Sequence, residues 1–223
     1  MNESAGVIFD MDGVLVDSAD AHRRAWQQLG DEIGTRFTAE MFQRTFGQRN
    51  ASIIPRWLGT DVADARVESL GDRKEEIYRS LVRSGACRIY SGVTPLFREL
   101  RAAGARLAIA SSAPRANVDL LIELMEIVAL VDVVVAAEDV AHGKPNPEVF
   151  LTAARRLELK PTCCAVVEDS VHGIEAAKAA AMIAVAVLTS TPRAALAAAG
   201  ADLFLAEVGE LRADGLLRRL KSP

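Results

Sequence analysis

Thirty acidic against twenty-six basic side chains in 223 residues leave a net charge of -4, and no stretch is basic enough for a nucleic-acid surface or an anionic-membrane patch. Half of the residues are hydrophobic and a quarter charged, which supports a substantial core; no apolar run reaches ~18 residues without a charge, and no basic segment followed by a long apolar run opens the chain. Cys87, Cys163 and Cys164 lack metal-ligand spacing, and an odd count with an adjacent pair fits reduced thiols in a cytoplasmic protein.

In chain order, the apolar run at 7–10 predicts a central strand. A strand-free block follows, from about 19 to 86, with helical patterns at 21–29, 39–46, 52–58 and 62–82, and with Gly34, Gly47, Gly59 and Gly71 near expected breaks. From about residue 92 the character changes. Short β-rich runs at 106–111, 131–136, 163–169, 183–188 and 202–205 alternate with helical segments at 94–103, 114–127, 147–158, 171–181 and 192–199. Apolar strands separated by helices predict βαβ units and a parallel sheet covered on both faces. The helical block then reads as a domain inserted after the first strand, with its connections near 16–19 and 84–92. The final Leu216-Leu-Arg-Arg-Leu-Lys221 reads as the last turns of a helix, where cations suit the dipole.

Ligands of such sheets bind beyond the C-terminal strand ends. The first strand is followed by Asp10-Met-Asp12-Gly13, the next by Ser111 and Ser112, and the run at 163–167 by Glu168, Asp169 and Ser170. The loop before the helix at 147 carries Gly143-Lys144-Pro145-Asn146-Pro147. Clustered carboxylates repel, and a hard divalent cation with oxygen ligands, Mg²⁺, relieves that repulsion. An ionised Asp10 can attack phosphorus, and Asp12, two residues on in extended chain, can aim at the same group and move its proton. Gly13 lets the chain turn without a Cβ in the way. Ser111 and Lys144 would hold phosphate oxygens, helped by backbone N–H groups where the helix near Pro114 begins. Taken singly, each group also has an ordinary explanation: a turn, a helix cap or a solvated lysine. Joint placement after consecutive strands is what favours chemistry.

The ordered stretches FDMDGVLVDS, AIASSAPRANV, GKPNPEVF and VVEDSVHGIEAAKAA resemble the four motifs of the haloacid dehalogenase-like (HAD) superfamily, over nearly the whole chain. The resemblance implies an α/β, Rossmann-like core (1–17 and 88–223) with an all-helical cap (18–87). Carried over, Asp10 is the phosphorylated nucleophile, Asp12 the general acid/base and a metal ligand through its backbone carbonyl, Ser111 a phosphate ligand and Lys144 the bridge between phosphate and nucleophile. Glu168 and Asp169 complete the Mg²⁺ site. Haloacid dehalogenases proper lack an acid at the position of Asp12, so phosphoryl transfer is favoured over dehalogenation.

Within the superfamily the chain is most similar to the β-phosphoglucomutase-like branch. His22 in DSADAHRRAW resembles the cap entrance, where the histidine helps control when the general acid/base engages, and is a substrate-binding candidate; Arg49 in FGQRN and Lys74 in GDRKEEIY fall near cap positions that contact substrate there. Alternatively, His22 and Trp26, one turn apart, pack together, and Arg49 and Lys74 are exposed charges. The mutase pattern has a lysine-asparagine pair directly after its serines; here Pro114 intervenes and Arg115 and Asn117 follow, a form associated more with phosphatases. Ser112, Arg115 and Asn117 are accordingly substrate-binding candidates. The expectation is a monomeric Mg²⁺-dependent phosphatase of a small phosphate ester, with a β-phosphoglucomutase as the alternative and a receiver-like phospho-acceptor module as a remote third. A glycine often ends the helix at the place of Ala181; a left-handed cap bearing a Cβ costs about 1 kcal/mol, which predicts a different helix end.

Overall fold

The structure, a computed structural model, describes residues 5–221. In chain order its elements are β1 (Gly6–Phe9), β2 (Val16–Asp17), α1 (Ala19–Ile33), α2 (Ala39–Thr45), α3 (Asn50–Leu58), α4 (Asp64–Arg83), β3 (Arg88–Ile89), α5 (Val93–Ala102), β4 (Arg106–Ala110) and α6 (Arg115–Leu124). There follow β5 (Val133–Val135), α7 (Glu148–Arg156), β6 (Cys164–Glu168), α8 (Val171–Ala179), β7 (Ile183–Val187), α9 (Arg193–Ala198), β8 (Leu203–Leu205) and α10 (Ala213–Lys221). Two compact units result, Asp17–Arg88 and the segments on either side of it. The short strands β2 and β3, which carry the chain from one unit to the other, pair with each other. No helix among the described residues is long and apolar enough to cross a membrane.

The flanking segments build a six-stranded sheet in the order β5-β4-β1-β6-β7-β8. Every pairing in it is parallel, with Gly6 of β1 in register with Arg106 on one side and Cys164 on the other. Val7, Ile8 and Phe9 are wholly buried, as are Leu107–Ala110 and Cys164–Val167, because helices cover both faces and leave no position for a polar side chain. Each Val, Leu, Ile or Phe side chain among them contributes about 1.5–3 kcal/mol by leaving water. Phe9 also stacks on Phe97 of α5 at 4.7 Å. Successive strands run outward from β1 on one side through β4 and β5, then on the other through β6, β7 and β8. The order therefore reverses at β1, and a crevice opens beyond its C-terminal end.

The α8 terminus departs from the expectation. Ala181 does adopt the left-handed conformation, with φ 58°; its N–H donates to the Lys178 carbonyl, and that of Met182 to Ala177. Glu126 and Glu158 do the same after α6 and α7, each with φ 57°. In each case the next residue turns inward: Met182 and Ile127 are buried and Leu159 packs against the core. Burying that side chain outweighs about 1 kcal/mol of backbone strain.

The helical unit consists of α1–α4, and its apolar centre is aromatic. Trp26 stacks on Phe37 at 4.9 Å, and Trp57 meets both edge-on. Gly34, Gly47 and Gly59 all have positive φ at or just beyond helix ends. Gly71 does not mark a break but lies inside α4. A Cβ there would sit 3.4 Å from the Cβ of Asn50, so this glycine marks the close approach of α3 to α4.

Candidate active site

Two loops bring acids to the crevice, and a third brings a lysine. Asp10 follows β1 directly, and its N–H donates to the carbonyl of Val167 on β6. The chain then turns tightly: Val14, Leu15 and Val16 all donate to the Met11 carbonyl, and Gly13 donates to Val16. Gly13 has φ 81°, and a Cβ on it would fall 2.0 Å from Oδ2 of Asp169. The turn is thus shaped around the acid of another loop, which is why glycine must follow Asp12.

Glu168 ends β6 and is buried. Its Oε2 accepts from the N–H groups of Asp169 and Ser170 and from the Ser170 hydroxyl, while Oε1 accepts from Lys144 Nζ at 2.6 Å. Ser170 also caps α8 by accepting from the Gly173 N–H at 3.0 Å. A Cβ on Gly173 would fall 1.9 Å from the Glu168 carboxyl carbon, so this helix start admits only glycine there.

Lys144 reaches in from the loop after β5 and donates to Asp10 Oδ1 at 2.6 Å as well. Asp10, Glu168 and Asp169 each offer an oxygen, all within 4.8 Å of one another. Burial pushes the Asp10 carboxyl up to about 7, an effect that Lys144 opposes and that Glu168 and Asp12 reinforce. Burial, Glu168 and Asp10 likewise hold Asp169 well above the usual carboxylate range. Burial alone would lower the Lys144 ammonium, but Asp10 and Glu168 outweigh it and the net shift is upward.

Three carboxylates against one ammonium leave a formal surplus of two negative charges among oxygen donors only. That donor set fits a hard divalent cation such as Mg²⁺.

Sequence reasoning missed the loop after β7. Thr189 donates its hydroxyl to the Gly13 carbonyl at 2.5 Å, and the Ser190 hydroxyl donates to Asp169 Oδ2. This loop therefore ties the Asp10–Gly13 turn to the third acid. Leu188-Thr-Ser-Thr-Pro192 after a strand is a polar run of the same kind as the other site loops, and that was the signal available.

On the other side of β1, Ser111 follows β4 and is buried. Its N–H donates to Val135, and its Oγ accepts from the Ala113 N–H at 3.0 Å, so the hydroxyl proton can be given elsewhere. Ser112 is half-buried beside it, and Asn117 is buried in the first turn of α6. Neither serine caps that helix. Glu138 does, with both carboxylate oxygens 3.0 Å from the Arg115 N–H. Arg115 itself extends to Asp139.

The remaining candidates gather inside the helical unit. Lys74 of α4 is buried, with Nζ 2.8 Å from His22 Nδ1 and 2.9 Å from Glu75 Oε1. His22 stacks on Tyr78 at 3.9 Å rather than on Trp26, which belongs to the aromatic centre. Arg49 sits immediately before α3. Asn50, the first residue of α3, donates to Glu75 at 2.8 Å.

Comparison with known proteins identifies the family. A sequence model of the haloacid dehalogenase-like hydrolases matches residues 5–181. The chain belongs to that family. It is similar to β-phosphoglucomutase of Bacillus subtilis, 31% identical over 92% of this chain and 90% of the relative. It is also similar to the fructose-1-phosphate phosphatase YqaB of Escherichia coli, 32% identical over 81% of this chain and 95% of the relative. Among solved structures, CbbY of Rhodobacter sphaeroides in complex with phosphate superimposes with a TM-score of 0.83 at 27% identity, covering 93% of this chain and 96% of that one. Within this HAD-like hydrolase the acids after β1 and β6 and the lysine after β5 are the convergent groups.

Proposed function

We propose that the chain is a Mg²⁺-dependent phosphatase that hydrolyses a small phosphorylated metabolite, a sugar phosphate in class, through a phosphorylated Asp10. The observation that carries this reading is the buried Asp10 carboxylate, in contact with Lys144 and grouped with Glu168 and Asp169. A bound Mg²⁺ would hold Asp10 ionised and draw charge from the phosphate oxygens; Asp10, the Asp12 carbonyl and Asp169, with Glu168, are the groups to hold it.

Asp10 then attacks phosphorus. A bond forms from its carboxylate oxygen, and the ester P–O bond breaks. Asp12 protonates the departing alkoxide. In the second half Asp12 takes a proton from water, which attacks the phosphorus of the aspartyl phosphate and releases Asp10 and inorganic phosphate. Ser111 donates its hydroxyl to a phosphate oxygen, and Lys144, poised against Asp10, neutralises the same group. Ser112 and Asn117 complete the substrate-binding set in the sheet unit. His22, Arg49 and Lys74 are the substrate-binding candidates of the helical unit. This reading places the enzyme as a monomer in the cytoplasm. Phosphate release from a sugar-phosphate panel measured with wild type and Asp10→Asn is the test; near wild-type release by the variant would sink the mechanism.

A second reading is favoured by the relation to β-phosphoglucomutase across most of both chains. There the same aspartyl phosphate would pass its phosphoryl group to a sugar hydroxyl. Incubation with β-glucose 1-phosphate and a trace of the bisphosphate separates the two: glucose 6-phosphate means mutase, free glucose and phosphate mean phosphatase. The fructose-1-phosphate phosphatase relative and the Pro114-Arg115 departure support hydrolysis.

A further inference from the structure

The loop after β4, which carries Ser111, and the loop after β5, which leads to Lys144, come from two strands paired in register at Ala110 and Val135. Beyond the last paired residues the sheet no longer holds them together, yet both loops must present groups to one phosphate. What joins them is a set of side chains in which Arg115 of the second motif meets Asp139 and Arg156, both outside the four motifs.

Arg115 donates through Nη2 to Asp139 Oδ2 at 2.5 Å and to the Val134 carbonyl at 3.1 Å. Arg156 of α7 donates to Asp139 Oδ1 at 2.7 Å and to the same carbonyl at 3.1 Å. Asp139 Oδ2 also accepts the Ala136 N–H at 2.8 Å. One carboxylate and one carbonyl are therefore gripped by two guanidinium groups, one from each side. The backbones are joined directly as well: the Ala137 N–H donates to Ala113, and Glu138 takes the Arg115 N–H with both oxygens. Further along the same loop, Glu148 accepts from the N–H groups of Ala141 and His142, so the stretch between Asp139 and Lys144 is held at both ends.

We propose that Arg115 is not a substrate ligand but a positioning residue, which with Asp139 and Arg156 forms a staple that sets Ser111 and Lys144 at the separation the phosphate requires. Charged hydrogen bonds with both carboxylate oxygens engaged restrict translation and rotation of the two loops together. A shift of about 1 Å at such a pair of phosphate ligands is enough to lose roughly two orders of magnitude in rate. Nη2 of Arg115 is already engaged twice in this network, and turning the guanidinium toward a substrate would leave the Asp139 carboxylate with only Arg156 and one backbone N–H.

This inference rests on the phosphoryl-transfer reading for its kinetic effect, though not for the staple itself. The test uses the whole chain, with p-nitrophenyl phosphate as substrate under saturating Mg²⁺, inorganic phosphate as product inhibitor, and deuterium exchange of residues 111–117. Arg115→Gln, Asp139→Asn and their double variant are compared with Arg101→Gln. Arg101 pairs with Asp132, which itself accepts the Leu107 N–H, at the opposite end of the same two strands, so it controls for loss of an ordinary ion pair.

Each single variant is expected to lower kcat/KM and weaken phosphate inhibition by about tenfold, and the double variant to lose no more than the worse single one. Exchange at 111–117 should quicken in Asp139→Asn, and Arg101→Gln should leave turnover unchanged. A raised KM in Arg115→Gln with wild-type kinetics in Asp139→Asn would make Arg115 a substrate ligand and overturn the proposal, as would losses that multiply in the double variant. Should wild type turn over neither this ester nor any sugar phosphate, the phosphoryl-transfer reading fails. Deuterium exchange then decides the staple alone, and unchanged exchange in Asp139→Asn overturns it.

Discussion

Replacing Gly13 with alanine perturbs two things at once, and the structure allows them to be separated. The residue has φ 81°, so any Cβ there carries a left-handed strain of about 1 kcal/mol or somewhat more. In addition, the new Cβ would stand 2.0 Å from Asp169 Oδ2. An ordinary carbon–oxygen contact is about 3.3 Å, so the carboxylate or the turn must move by roughly 1.3 Å. Asp169 is one of the three acids that converge within 4.8 Å, and the turn carries Asp10 and Asp12. A displacement of that size predicts a loss of about 100-fold in kcat/KM, equivalent to about 2.7 kcal/mol.

Gly104 supplies the matched control. Its φ is 82°, and a Cβ there would meet nothing within 4 Å. Gly104→Ala should therefore lower the melting temperature by about 2–4 °C with turnover unchanged, whereas Gly13→Ala should lose both stability and turnover. Thermal melts, steady-state kinetics on p-nitrophenyl phosphate and Mg²⁺ titration calorimetry read out the comparison. The reasoning is falsified if Gly13→Ala keeps wild-type kcat/KM and Mg²⁺ affinity.

Two further expectations follow from other parts of the sheet unit. Ala181→Gly relieves the left-handed strain at an exposed position, less the larger entropy glycine has when unfolded, and should raise the melting temperature by about 1–4 °C; a lower value would mean that Ala181 contributes packing the geometry does not reveal. Ser190→Ala removes the hydroxyl that donates to Asp169 Oδ2 and should weaken Mg²⁺ binding, measured by calorimetry, by about 10-fold or more while activity recovers at high Mg²⁺. Unchanged affinity would show that burial alone orients Asp169.

Asp10, Asp12, Glu168 and Asp169 were legible because each follows an apolar run too short for anything but a strand, and because a strand end in a parallel sheet faces the crevice. Lys144 was legible through its loop before α7 and through its motif; nothing in its immediate neighbours distinguishes it from a surface lysine, and its place between Asp10 and Glu168 depends on a loop entering from β5. Arg115 illustrates the opposite case. Its position in the second motif invited a role in substrate binding, yet its partners, Asp139 and the Val134 carbonyl, lie 24 and 19 residues away. Ala181 shows local propensity yielding: the backbone strain is fixed by one residue, but the gain comes from burying Met182 in a core cluster drawn from strands and helices elsewhere in the chain.

By itself, then, the sequence determined the alternation of strands and helices, the inserted helical block and the identity of the acids, since periodicity and strand ends are local properties. Tertiary structure decided what those acids meet. The order β4-β1-β6-β7 puts the Thr189–Ser190 loop against Gly13 and Asp169, and the close fit of Gly13 to Asp169 exists only because two loops 156 residues apart are packed together. Such contacts are set by which strands become neighbours, and no window of sequence contains that information.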